Sequence, residues 1–268
     1  MDRYNPLIWE PTQKPEPGFD EINWDHPLSR GLVGYIPLNE GAGSAAMDIV
    51  KGRSISAGTT KPTWSNGGAN FNGSSFFDGA GCASALSSSN NFSIVFWASA
   101  TALQVNGGAI SIRAGAASNC IIYPFDSGNG ATGLRYWQSG NVFQDTATSG
   151  RADGLPHHFC ITSAGSAGKA AYVDGSQILT SVNTNSLASG MTSVGVGSWP
   201  PGPQNFTGTV YHASFYNRAL TAAEVADLYR NPFAMFAPTS SRSHGQLVSV
   251  SSPFESAIFD SPIIGGAA

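Results

Sequence analysis

"KAAYVDGSQILTS", Lys169 to Ser181, sets Asp174-Gly175 between two short strand-like runs. A two-residue type I′ turn needs positive φ at both central positions, which Asp-Gly tolerates, so the segment predicts an antiparallel hairpin. Working outward, the same texture recurs. "LVGYIPL" (32–38), "NFSIVFWAS" (91–99), "GAISIRA" (108–114), "NCIIYPF" (119–125), "LRYWQ" (134–138), "HHFCITS" (157–163) and "TGTVYHASFYN" (207–217) are separated by Gly, Ser, Asn and Asp clusters. Many brief strands with frequent turn signals predict an all-β fold. In "NFSIVFWAS" Phe92, Ile94, Phe96 and Ala98 alternate with Ser93, Val95, Trp97 and Ser99, so both faces are largely apolar and the strand belongs in the middle of a sandwich.

One segment departs from this texture. In "FYNRALTAAEVADLYRNPF" (215–233) Thr221 and Glu224 make a T-x-x-E capping box, with Leu220 and Val225 as its hydrophobic staple. Val225, Leu228 and Tyr229 form an i, i+3, i+4 stripe that can dock on a sheet, and Asn231-Pro232 stops the helix. The spacing predicts a short helix of about ten residues with one packing face.

Apolar residues make up 41% of the 268-residue chain and charged ones 11%, against the usual quarter or so, which predicts a neutral surface of Ser, Thr, Asn and Gly. The net charge of −4 carries no basic run, which argues against a nucleic-acid partner. No window is apolar enough for a transmembrane span, and the start has no secretory pattern of basic residues followed by an apolar run. Cys82, Cys120 and Cys160 lack CxxC spacing and read as small buried apolar residues, without a zinc site or a disulfide framework.

Taken in order, "GLVGYIPLNEGAG" (31–43), "DIVKGRSIS" (48–56), "GGANFNGSSFFDG" (67–79), "NFSIVFWA", "LPHHFCIT…KAAYVDGSQ" and "FTGTVYHASFYNRALTAAEVADLY" (206–229) resemble the laminin-G-like, concanavalin A-like lectin/glucanase jelly-roll family. The resemblance runs from about Arg30 to Tyr229. It implies a jelly-roll β-sandwich of two antiparallel sheets over residues 29–231, closed by one short C-terminal helix. Residues 1–28, with six acidic side chains and five prolines by Pro27, then form an extended N-terminal arm, and residues 232–268 an extended C-terminal tail.

Departures from the family pattern bear on function. Members often carry an acidic pair where this chain has Tyr211 and His212, and an early calcium-holding loop where it keeps Asp48 but offers Lys51 and Arg53. Calcium requires several oxygen ligands, so no metal and no cofactor are expected. The resemblance also covers glycoside hydrolases, which need two carboxyls at about 5–9.5 Å. Between Gly41 and Ala223 there is no glutamate, and Asp48, Asp78, Asp126, Asp145, Asp153 and Asp174 stand singly. No catalytic residue is therefore assigned, although a pair assembled by the fold is not ruled out by spacing. His157 and His158 should point to opposite faces of a strand, one inward with a satisfied hydrogen bond and one near the surface, and cannot chelate one ion together. Asp174 is accounted for by its turn and Asp48 by a loop.

Sugar binding stays open. Tyr136, Trp137 and Trp199 lie in or beside expected loops or edge strands, where aromatic faces can stack on pyranose rings, although tryptophans in a sandwich also serve as core. In "GSWPPGPQNF" (197–206) prolines can hold Trp199 at a loop tip. No ligand-binding residue is assigned beyond these candidates.

Family members usually work outside the cell, and a virion protein reconciles that with the absence of an export pattern. The coda "LYRNPFAMFAP" (228–238) resembles the ends of phage-encoded laminin-G-like proteins. The resemblance thus implies a non-enzymatic phage virion structural protein, such as a capsid decoration or other surface component. Its arms would dock on other virion proteins and on copies of itself in a homo-oligomer. The alternative is a carbohydrate-binding adhesion module, extracellular or on a tail fibre, recognising surface polysaccharide; a glycoside hydrolase is the third reading.

Overall fold

The computed structural model describes residues 14–15, 21–65, 67–115, 117–128, 131, 133–138, 141–144, 151–197 and 205–236. Its strands are β1 (Leu32–Ile36), β2 (Ala45–Asp48), β3 (Arg53–Ala57), β4 (Thr63–Ser65), β5 (Gly68–Asn72), β6 (Phe77–Gly79), β7 (Asn91–Ser99) and β8 (Ile110–Ala114). They continue with β9 (Ala117–Asp126), β10 (Gly133–Gln138), β11 (Asn141–Gln144), β12 (His157–Ala164), β13 (Lys169–Val173), β14 (Ser176–Ser181), β15 (Ser193–Val196) and β16 (Thr207–Tyr216). One α-helix, α1, spans Ala222–Arg230.

Among the described residues these strands form two antiparallel eight-stranded sheets, a jelly-roll sandwich. The first runs β14-β13-β12-β7-β16-β5-β4, with β1 also paired to β16; the second runs β11-β10-β9-β8-β15-β6-β3-β2. The hairpin is as the sequence predicts: β13 and β14 pair across Asp174 and Gly175, at φ 50° and 74°. Strand β7 is central, flanked by β12 and β16, and its two apolar faces have different neighbours. Phe92, Ile94, Phe96 and Ala98 enter the core between the sheets, where Phe96 stacks on Phe159. Val95 joins a second apolar layer on the sheet's outer side.

That outer layer explains the helix. Thr221 Oγ1 accepts from Glu224 N, and the Glu224 carboxylate accepts from Thr221 N, the expected capping box. Arg218 adds a bidentate grip on Glu224 at 2.7 and 2.8 Å, which pulls that carboxyl down to about 2. Ser93 on β7 donates to Arg218 O and accepts from Leu220 N, fastening the turn before the helix to the sheet. Val225 and Leu228 are then buried, and the Tyr229 ring stacks on Trp97 at 5.7 Å. A Cβ on Gly175 would stand 2.9 Å from Tyr229 Cδ1, so the hairpin glycine both satisfies the turn and makes room for the helix.

Parts of both terminal segments belong to the same layer. Ile22 bridges Phe236, Asn23 N donates to Met235 O at 2.8 Å, and Ile22, Leu28, Phe233, Met235 and Phe236 are buried. Phe233, Met235 and Phe236 fall in the extended C-terminal tail that was expected to dock on neighbours; these three instead dock on their own sandwich, because the outer face of β7, β12 and β16 is itself apolar and needs a cover. Most of residues 1–28 and 237–268 lie outside the described residues.

Candidate functional site

The outer face of the first sheet holds the histidines. His158 and His212 are fully enclosed among Trp97, Tyr229, Tyr35 and Phe233. Burial drives His158 down to about 4 and His212 well below the usual imidazole range, so both are neutral at pH 7. His212 Nδ1 pairs with Tyr35 Oη at 3.2 Å, whereas neither ring nitrogen of His158 has a partner among the described residues. Tyr211, the other residue standing where relatives carry acids, is buried with its hydroxyl 3.1 Å from Ser99 Oγ.

His157, one residue along and on the opposite side, sits between Asp174 (Nδ1–Oδ2 3.0 Å) and Asp153 (Nε2–Oδ1 3.2 Å). These carboxylates outweigh burial and raise its pKa, while Asp174, also bonded to Arg151 and to His158 N, is lowered. The expected split of the two histidines to opposite faces is thus observed, but the expectation that the buried one has a satisfied hydrogen bond is not: neither nitrogen of His158 has a partner among the described residues, because its surroundings are the aromatic rings of Trp97 and Tyr229. Among the described residues no group of three His, Cys, Asp or Glu side chains converges as metal ligands would.

The outer face of the second sheet has a different chemistry. Core residues Ile110, Ile112, Cys120, Ile122, Leu134 and Tyr136 point inward, so their neighbours Ser111, Arg113, Ile121, Tyr123, Arg135 and Trp137 occupy the other face. Arg113 Nη2 pairs with Asp78 Oδ2 at 2.5 Å. Arg135 pairs through Nε with Asp126 Oδ2, donates from Nη2 to Asn106 Oδ1, and lies 4.0 Å over the Tyr123 ring. Asn106 N completes the set by donating to Asp126 Oδ1 at 2.9 Å. Nothing in the sequence announced this constellation, since its members come from three separate segments; the only cue was two isolated arginines in otherwise apolar strands.

Of the three candidate stacking aromatics, Tyr136 is removed: it is buried in the core with its hydroxyl donating to Gln138 Oε1 at 2.9 Å. The strand containing it is paired on both sides, by β9 and β11, so strand alternation turns Tyr136 inward and leaves only Trp137 on the outer face. Trp137 is half-buried and stands in register with Ile121 and with Val142, which is 49% exposed on edge strand β11. Trp199 lies outside the described residues.

Every described aspartate between Gly41 and Ala223 has a structural task. Asp48, which is buried at the end of β2, accepts from the backbone amides of Tyr35, Val50 and Lys51. Arg113 engages Asp78, Arg135 engages Asp126, His157 and Leu155 N engage Asp153, and Arg151 and His157 engage Asp174. Asp145 falls outside the described residues. Cys82, Cys120 and Cys160 are buried and unpaired, with burial raising the Cys120 thiol to about 12, so they fill core volume as the sequence predicts.

The sequence profile of the concanavalin A-like lectin/glucanases superfamily matches residues 78–226. Among solved structures, Trypanosoma rangeli sialidase in complex with sialic acid is similar, with a TM-score of 0.56 and 18% identity over 78% of this chain and 34% of the sialidase. The binding domain of Paraclostridial Mosquitocidal Protein 1 gives a TM-score of 0.55 and 14% identity, covering 75% of this chain and 52% of that one. This chain therefore spans about a third and about half of those two structures, and at such identities the likeness is one of fold. No curated protein matches the chain in sequence.

Proposed function

The chain belongs to the concanavalin A-like lectin/glucanase superfamily, and from that premise we propose that it is a non-enzymatic binding module that recognises carbohydrate on the outer face of its second sheet. The carrying observation is the fate of the aspartates between Gly41 and Ala223: each described one is held by an arginine, a histidine or backbone amides, and the two that approach one another, Asp153 and Asp174, are bridged by His157. Trp137 supplies a flat apolar surface beside the exposed Val142, the combination that stacks on a sugar ring. Neighbouring ion pairs fix the strands beneath it. The similar structures include a sialidase bound to sialic acid and a toxin's binding domain, which agrees with a recognition role for the fold.

A glycan array with the purified protein tests this reading. Binding that Trp137→Ala abolishes supports it; no binding to any glycan removes it, and binding unaffected by Trp137→Ala but lost in Trp199→Ala moves the site to the 197–206 segment. The virion-surface setting, with residues 239–268 docking on other virion proteins or on sister copies, is a compatible proposal that rests on the apolar groups of that segment, Leu247–Val248, Phe254, Ile258–Phe259 and Ile263–Ile264. Removal of Thr239 to Ala268 is expected to abolish incorporation into particles while leaving the sandwich folded; normal occupancy would refute it.

A further inference from the structure

Trp24 is the one exposed aromatic side chain among the described residues, at 59%, whereas Trp97 is 2% exposed and Trp64 and Trp137 are half-buried. Its neighbours Ile22 and Leu28 turn into the apolar layer outside the first sheet. Trp24 faces away from that layer, and among the described residues its ring has no aromatic contact and its Nε1 no hydrogen-bond partner. We propose that Trp24 is a stacking platform for a pyranose ring, a second carbohydrate contact on the opposite side of the sandwich from Trp137. The ligand class rests on the carbohydrate reading of the second face.

The turn that carries the indole is built to hold it. Asn23 N donates to Met235 O at 2.8 Å, His26 N donates to Asn23 O at 3.1 Å, and Ser29 Oγ donates to the same oxygen at 2.7 Å. Asn23 Oδ1 accepts from Asp25 N at 3.1 Å, and His26 Nδ1 accepts from Leu28 N at 3.2 Å. The polar side chains of Asn23, His26 and Ser29 are thus spent on the turn itself. The backbone beneath Trp24 is fixed before any ligand arrives, which spares the cost of ordering it on binding.

Two charged side chains beside it are unspent. Asp25 and Arg30 are exposed, and neither the carboxylate nor the guanidinium has a partner among the described residues, unlike Arg113 and Arg135 on the second face. A protein partner is gripped through a cluster of apolar side chains inside a polar rim. Here the exposed residues around the indole are Glu21, Asp25, Pro27 and Arg30, so no such cluster exists. One flat aromatic face with a carboxylate and a guanidinium near its edge suits a sugar, whose C–H face stacks while its hydroxyls bond the charged groups. With contacts facing apart, one molecule can hold two glycan chains.

Indole N–H resonances of the full-length, 15N-labelled protein test this, because each tryptophan reports on itself. The probes are the methyl glycosides of glucose, galactose, mannose and N-acetylglucosamine, with acyclic sorbitol as the control. The Trp24 signal, identified by its loss in Trp24→Phe, is expected to shift saturably with at least one glycoside and not with sorbitol, and to do so equally in Trp137→Ala. A Trp24 signal that no glycoside moves, or that sorbitol moves as far, overturns the proposal; if the Trp137 signal moves meanwhile, the reading of the second face stands without it. A Trp24 shift beside a silent Trp137 has the opposite meaning. Trp24→Ala is expected to keep the melting midpoint within about 2 °C of wild type. A larger drop would show an indole packed for stability and would also overturn the proposal.

Discussion

The two outer faces of the sandwich are finished in opposite ways. On the first sheet, α1 and residues 231–236 seal an apolar layer in which His158 and His212 are held neutral. On the second, charge is retained and balanced, with Arg113 against Asp78 and Arg135 against Asp126. A face closed by its own chain has spent its apolar surface on stability. On the second face Arg113, Arg135 and Asp126 are also buried and spend their charge on partners within the chain, while Trp137 and Val142, toward the β11 edge, keep exposed surface that can meet a ligand.

The comparison is broken most sharply at Arg135. Replacing it with Met leaves Asp126 buried without its partner and is expected to cost about 3–5 kcal/mol in urea unfolding, with most of that recovered by also changing Asp126 to Leu. A loss below about 1 kcal/mol would mean that the second face does not depend on its ion pairs.

Acid attacks the other face. His158 binds a proton in the unfolded chain near pH 6.5 but in the folded chain only near about 4. The neutral form is thus the folded one, and its contribution is full above pH 6.5 and lost as pH falls from 6.5 toward 4. The expected slope is about 1.4 kcal/mol per pH unit, with His212 adding to it in the same direction. His157 runs the opposite way: its raised pKa adds stability that is lost as pH rises through the folded value. Denaturation midpoints from pH 7 to 4 should therefore fall, less steeply in His158→Phe. Hydrogen exchange should show α1 loosening before β9 and β10; the reverse order would contradict the assignment of acid sensitivity to the first face.

Smaller effects refine the picture. Tyr229→Ala removes the ring stacked on Trp97 and is expected to cost about 2 kcal/mol. Thr221→Ala removes the helix cap for about 1 kcal/mol. Trp137→Ala should change stability by no more than about 0.5 kcal/mol, since its exposed side is free of core packing, while abolishing glycan binding.

Local chemistry made much of the fold legible. Asp174-Gly175, the Thr221–Glu224 box and the double apolar pattern of residues 91–99 each act through residues close in sequence, and each reappears in the structure. What escaped depends on long-range register. Tyr136 and Trp137 are adjacent and equally aromatic, and only the direction of strand alternation decides which faces the core. Arg135 meets Asn106 across 29 positions and Lys14 meets Tyr211 across 197, separations at which no local pattern predicts a partner. Phe233 and Phe236 fall in the tail expected to dock on neighbours, and their docking on the sandwich escaped because their receptor surface was assembled from β7, β12 and β16, strands distant from them in the chain.

Strand β16 carries one more consequence, for the order of events during synthesis. It pairs with β5 along Thr207–Val210, with β7 along most of its length and with β1 through Ala213–Tyr216, so three earlier strands wait on it. Until residue 216 has left the ribosome, β7 has an open edge and β1 has no partner. Completion of the first sheet therefore waits on β16 and closes very long loops, in the slow millisecond-to-second class of β-rich topologies. Prematurely terminated chains would present those edges to one another, which makes the last eighth of the folded region the guard against aggregation of all that precedes it.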